Sequence, residues 1–148
     1  MGQDPPSGSE LTVAGSLIEE VPIAARALAT RLRLESMMRD SSLPDLLDAL
    51  GGEQGKPKPL EVVEQGVTRS QSLIGRFHLA PDTCLFRSLA RYALLRRAGH
   101  PVRFVMGLDP TKKSELVGHA WLELDGVPLG EEVDPALAVT FSYPEASS

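Results

Sequence analysis

The strongest constraint on the fold is a change of period at Gly99-His100-Pro101. Before it, apolar residues recur at three- and four-residue steps, the spacing of amphipathic helices. After it, PVRFVMGL and VGHAWLEL alternate and are rich in Val and aromatic residues, as strands are. Helices first and antiparallel strands second make an α+β chain.

The helical half divides at its breakers. Met1–Ser9 is rich in Gly, Pro and Ser and reads as a disordered start, residues 1–10. A helix is expected from Ser16, with Leu17, Val21, Ala24, Leu28 and Leu32 on its inward face and Pro22 tolerated near its start. Ser42 caps a short second helix to Leu50, with Pro44 in its first turn and Gly51-Gly52 ending it. Residues 11–58 thus form a helical N-terminal extension closed by the loop GGEQGKPKP. A third helix is expected over Leu60–Phe77, with Leu60, Val63, Val67, Ile74 and Phe77 inward. Ala80-Pro81-Asp82 interrupts the pattern, and a fourth helix starts at Cys84 and stops at Gly99. Strands follow over Pro101–Leu108, Val117–Leu124, Val127–Val133 and Val139–Tyr143, with Asp125-Gly126 as a two-residue hairpin turn.

Charge and cysteine usage narrow the function. A net charge of −5 argues against a general nucleic-acid binder. No run of about 18 apolar residues offers a membrane span, and the polar start lacks the apolar run of a signal peptide. With Cys84 as the one cysteine no intrachain disulfide forms, which suits a reducing, cytoplasmic setting. One cysteine with His78, His100 and His119 does not make a cysteine-rich zinc site, and no metal or cofactor is expected.

Three features carry chemistry. Asp82 or Thr83 is a good cap, so Cys84 falls in a first helical turn, where the helix dipole favours a thiolate. A free cysteine is more often a small core residue, but packing alone gives it no reason to stand at a cap. His119 shares a strand face with Val117, Trp121 and Glu123. Taken alone it is an ordinary sheet-surface residue; paired with a helix-start cysteine it becomes a candidate base. The third group should be a carboxylate that orients the imidazole. If Leu124 pairs with Val127 across a tight turn, counting outward sets Glu132 opposite His119. A one-residue bulge would bring Glu131 there, and Asp134 lies one pleat further.

The segments CLFRSLARYALLRRAGHPVRFVMGL and GHAWLELDG resemble the lasso-peptide biosynthesis B2 proteins, leader peptidases of the transglutaminase-like superfamily. The resemblance lies in Cys84-Leu85, Arg87-Ser88-Leu89, Arg96-Arg97, Gly99 and His119-Ala120-Trp121-Leu122-Glu123, and covers about Gly66 to Asp134. It implies a papain/transglutaminase-like peptidase core over residues 59–148, with a Cys-His-Asp triad whose nucleophile stands at a helix N-terminus. It implies hydrolysis of the bond between leader and core of a ribosomally made precursor, with Cys84 as nucleophile, His119 as base and a backbone N–H near Cys84 as oxyanion donor. The family's acid is an aspartate about a dozen residues past the histidine, where this chain has Glu131. Val133-Asp134-Pro135 matches the wider superfamily's placing of that acid. Residue type therefore favours Asp134, and spacing favours Glu131. The implied partners are the precursor leader, a separate leader-recognition protein of the B1/RRE type and the lasso cyclase, with no nucleic acid or membrane. A different amide hydrolysis or acyl transfer by the same triad, and an inactive peptide-binding relative, remain as alternatives.

Overall fold

The computed structural model describes residues 8–52, 55–112 and 118–145, with side chains from residue 21 onward. Four helices precede four strands: α1 (Gly8–Asp40), α2 (Leu43–Gly51), α3 (Leu60–Phe77), α4 (Cys84–Arg97), β1 (Arg103–Leu108), β2 (Gly118–Leu124), β3 (Val127–Pro128) and β4 (Ala138–Tyr143). The strands form one sheet in the order β3-β2-β1-β4, with every pairing antiparallel. The expected α+β architecture is the one observed.

Local chemistry sets these boundaries. Ser42 Oγ accepts the Asp45 N–H at the start of α2, and Pro44 sits in its first turn. Thr83 does the same for α4, its Oγ1 accepting the Phe86 N–H. α4 ends before Gly99, whose φ of +91° suits the residue type. The core lies between the helices and one sheet face. Leu89, Leu95, Val102, Phe104 and Leu122 are fully buried there, with Leu34, Leu46 and Leu47 closing it from α1 and α2.

Four expectations need correction. α1 starts at Gly8 rather than Ser16, so Pro22 lies inside the helix, and residues 1–7 of the expected disordered start are outside the described residues. Its inward face is Ile23, Ala27, Arg31 and Leu34, whereas Val21 and Leu32, expected inside, are 62% and 54% exposed. The described half of α1 carries apolar residues on more than one face, so periodicity admits two stripes, and an arginine normally disqualifies one of them. Phe77, expected inward at the end of α3, is 58% exposed, because the helix closes there on a left-handed His78 (φ +51°). Finally, the third strand stops at Pro128 instead of reaching Val133. Leu124 pairs with Val127 as expected and the Leu129 N–H still reaches the Leu122 carbonyl at 2.8 Å, but Gly130 then turns the chain at φ +74°. Val117, the expected first residue of β2, lies outside the described residues.

Candidate active site

The site is organised by α4 and β2. Ser88, one turn after Cys84, is buried and donates its hydroxyl to the Ala120 carbonyl at 2.9 Å. Three residues further along α4, Arg91 donates to the Leu129 carbonyl at 3.0 Å, and the Leu129 N–H is held by the Leu122 carbonyl at 2.8 Å. Helix and strand therefore run alongside each other in the same direction. Stepping back from Ser88 to Cys84 covers about 6 Å of helix. At about 3.3 Å per residue, the same step along β2 from Ala120 falls at Gly118–His119. The Cys84 end of α4 thus lies toward the Gly118 end of β2. Among the described residues no hydrogen bond joins the Cys84 thiol to the imidazole.

Cys84 is half-buried at the head of α4, against the core. Thr83 takes up the Phe86 N–H through its side chain and the Arg87 N–H through its carbonyl. The N–H groups of Cys84 and Leu85 are left without intrahelical acceptors, as at any helix start. The approach to Cys84 is tied down from a distant element. Arg31 of α1, only 2% exposed, donates to the Pro81 carbonyl at 2.7 Å and to Gln71 Oε1 at 2.6 Å, and approaches Asp82 Oδ1 at 3.5 Å. Asp82 also accepts from Gln71 Nε2 at 2.7 Å and pairs with Arg87 Nε at 3.1 Å. The Gln71 amide, then the Arg87 and Arg31 charges, hold the Asp82 carboxyl below its ordinary range, against the opposing effect of desolvation. Burial pulls the Arg31 guanidinium down, opposed by Asp82.

On the sheet, His119 Nε2 lies 2.7 Å from Glu131 Oε2, both side chains about one-third exposed. A carboxylate only accepts here, so Nε2 donates, and in the neutral imidazole Nδ1 is the lone-pair nitrogen. Trp121 stacks on the imidazole, with ring centroids 5.9 Å apart and planes 17° from parallel. The indole is buried and lies over Gly107, where a Cβ would come within 3.1 Å of it. Glu123, next on that face, accepts from Trp121 Nε1 at 3.3 Å and pairs with Arg103 at 3.0 Å. The stacked ring and the carboxylate together restrict the imidazole to one orientation.

Of the acids left open by the sequence, Glu131 is the one brought to His119. Glu132 is exposed and does not face it, because the chain turns away from β2 at Gly130. Asp134 instead accepts the Ala136 N–H at 2.9 Å in an exposed turn. Among the described residues no group of three or more His, Cys, Asp or Glu could hold a metal ion, and no helix is long and apolar enough to cross a membrane.

A family model described as the transglutaminase-like superfamily matches residues 24–142, well over half of the chain. The chain belongs to the transglutaminase-like superfamily. Members of this superfamily are often cysteine hydrolases or acyltransferases, and they include cysteine peptidases. No curated protein and no solved structure shows a significant match. The superfamily match begins inside α1, which accords with the place of Ala27 and Leu34 in the core.

Two contributors escaped the sequence reading. Arg31 had a visible signal, an arginine in the otherwise apolar stripe Ile23-Ala27-Leu34. Arg91 had none, since its partners Glu64 and Leu129 are distant in sequence.

Proposed function

We propose that this superfamily member is a cysteine peptidase that removes the leader from a lasso-peptide precursor, using Cys84, His119 and Glu131. The observation that carries the reading is the 2.7 Å contact between His119 Nε2 and Glu131 Oε2, which leaves Nδ1 to serve a thiol. The Cys84 end of α4 lying toward the Gly118 end of β2, and first-turn N–H groups without intrahelical acceptors, support the same assignment. The segment Cys84-Leu85-x-Arg87-Ser88-Leu89 with His119-Ala120-Trp121 supports the lasso assignment within the superfamily.

In this mechanism Nδ1 takes the thiol proton and the Cys84 sulfur attacks the scissile carbonyl. The imidazolium that forms is stabilised by Glu131 and by the face of Trp121. The Cys84 N–H, at the positive end of α4, donates to the developing oxyanion. Collapse of the tetrahedral intermediate breaks the C–N bond, and Nδ1 returns its proton to the leaving amine. Water then enters, gives a proton to Nδ1, and its oxygen displaces the thiolate to release the leader carboxylate. A separate leader-recognition protein of the B1/RRE type presents the precursor, with the lasso cyclase receiving the freed core. The setting is cytoplasmic.

The test is cleavage of a precursor peptide in the presence of its recognition protein, followed by mass spectrometry. Cys84→Ala should abolish cleavage while the protein still melts cooperatively; undiminished cleavage by that variant removes the proposal. In heavy-oxygen water the new leader carboxylate should carry the label. Transfer to an added amine without labelled acid would instead make the enzyme an acyltransferase.

A further inference from the structure

α4 touches the site at three points on one stripe: Cys84 itself, Ser88 on the carbonyl next to His119, and Arg91 on the loop that carries Glu131. The third contact has no part in the chemistry above, yet it is the most elaborate. Arg91 Nη2 donates to Glu64 Oε1 at 2.9 Å and to the Leu129 carbonyl at 3.0 Å, while Nε reaches Glu64 Oε2 at 3.3 Å. The guanidinium is largely buried, and Glu64 of α3 grips it through both oxygens. On the other side, Leu129 is fixed through its N–H to Leu122. The Leu129 peptide is thus clamped between β2 and Arg91. The chain then turns at Gly130, where a Cβ would lie 3.4 Å from Arg91 Nη2, and Glu131 follows at once.

We infer that Arg91, oriented by Glu64, is a positioning residue that sets the Glu131 carboxylate against His119 by holding the Leu129 carbonyl. The inference rests on the reading of His119 and Glu131 as the catalytic pair. The last bond to β2 is that of the Leu129 N–H, so pairing with the strand ends two residues before Glu131. A planar fork that spans a carboxylate and a carbonyl together is something a lysine does not supply. Misplacing a catalytic group by about 1 Å can cost about 100-fold in rate, so the clamp bears directly on reactivity.

The experiment needs no precursor, because Cys84 is the only thiol in the chain. Iodoacetamide alkylation of the full-length protein is followed by intact mass from about pH 5 to about pH 9, the range in which activated and ordinary thiols differ. Glu131→Gln should slow alkylation at about pH 6. Arg91→Met should slow it by about 10-fold and give the pH profile of Glu131→Gln. Arg91→Lys should not restore the wild-type profile, and Glu64→Gln should fall between the two. The deciding comparison is the double variant: in the Glu131→Gln background, Arg91→Met should change the rate by less than about 2-fold. A residue that merely packs would subtract equally in both backgrounds. Wild-type alkylation in both Arg91→Met and Glu64→Gln, or an equal loss with and without Glu131, overturns the inference. If Arg91→Met does not fold, Glu64→Gln carries the same double-variant comparison. Wild-type alkylation in Glu131→Gln itself would instead sink the catalytic pairing, and that result is read before any Arg91 variant is made.

Discussion

Replacing Arg31 with Met should separate stability from activity. The substitution roughly conserves volume in a site that is 2% exposed, so the cavity contribution is small. What is lost is the pair of bonds to the Pro81 carbonyl and Gln71 Oε1, each charge-assisted and contributing about 1.5 kcal/mol, or about 3 kcal/mol together. The contact with Asp82 adds little, because that carboxylate is 41% exposed and screened by water. Against this stands the cost of burying a guanidinium whose Nε has no hydrogen-bond partner, about 1–3 kcal/mol, which Met removes. Gln71 keeps Asp82 as a partner, and the exposed Pro81 is open to hydration. The net change in unfolding free energy should therefore be about 0–2 kcal/mol. Yet the Pro81–Thr83 segment loses its anchor to α1, and Cys84 follows it directly. Urea unfolding should show a modest shift, whereas precursor cleavage should fall by about 10-fold or more. A variant equally stable and fully active would refute the view that α1 orders the approach to the nucleophile.

Glu131→Gln should lower cleavage by about 5- to 30-fold. The amide oxygen still accepts the Nε2 proton and keeps the tautomer, so only about 1–2 kcal/mol of charge assistance is lost. Asp134→Asn should leave cleavage unchanged, since its carboxylate accepts from the Ala136 N–H and does not reach His119; the reverse order of the two effects would exchange their roles. Gly107→Ala should cost about 1–3 kcal/mol in thermal unfolding, because its Cβ would meet both the Ala138 carbonyl and the Trp121 ring at 3.1 Å, and activity should drop with the displaced indole. Asp82, with its carboxyl held low by Gln71, Arg87 and Arg31, stabilises the fold above about pH 4, and this is lost as pH falls through the folded value. Asp82→Asn should flatten the acid side of a stability–pH profile; an unchanged slope there would contradict it.

The elements that the sequence announces are those with local punctuation. Thr83 and Ser42 cap, Gly99 stops, and Asp125-Gly126 turns; the corresponding boundaries of α4, α2 and the hairpin fall where these residues predict. The same logic put Cys84 at a helix head and His119 on a strand. It could not choose the acid, because that depends on where the hairpin stops pairing. Gly130 decides this locally, while the grip of Arg91 on Leu129 comes from a helix far upstream. Nor could it orient α1, whose two apolar stripes compete and whose true inner face includes an arginine. A charge in a core stripe argues against burial until its partners on α3 and at Pro81 are known.

The hold of α1 on Pro81 bears on how members of this superfamily can be recombined. Ile23, Ala27 and Leu34 fill the core under α4 while Arg31 reaches the segment that leads into Cys84, so the helix and the half bearing Cys84 and His119 form a matched set. A chimera that swapped only the cysteine- and histidine-bearing portion between relatives would inherit a foreign anchor. Activity should survive the exchange only when the arginine-bearing helix travels with it.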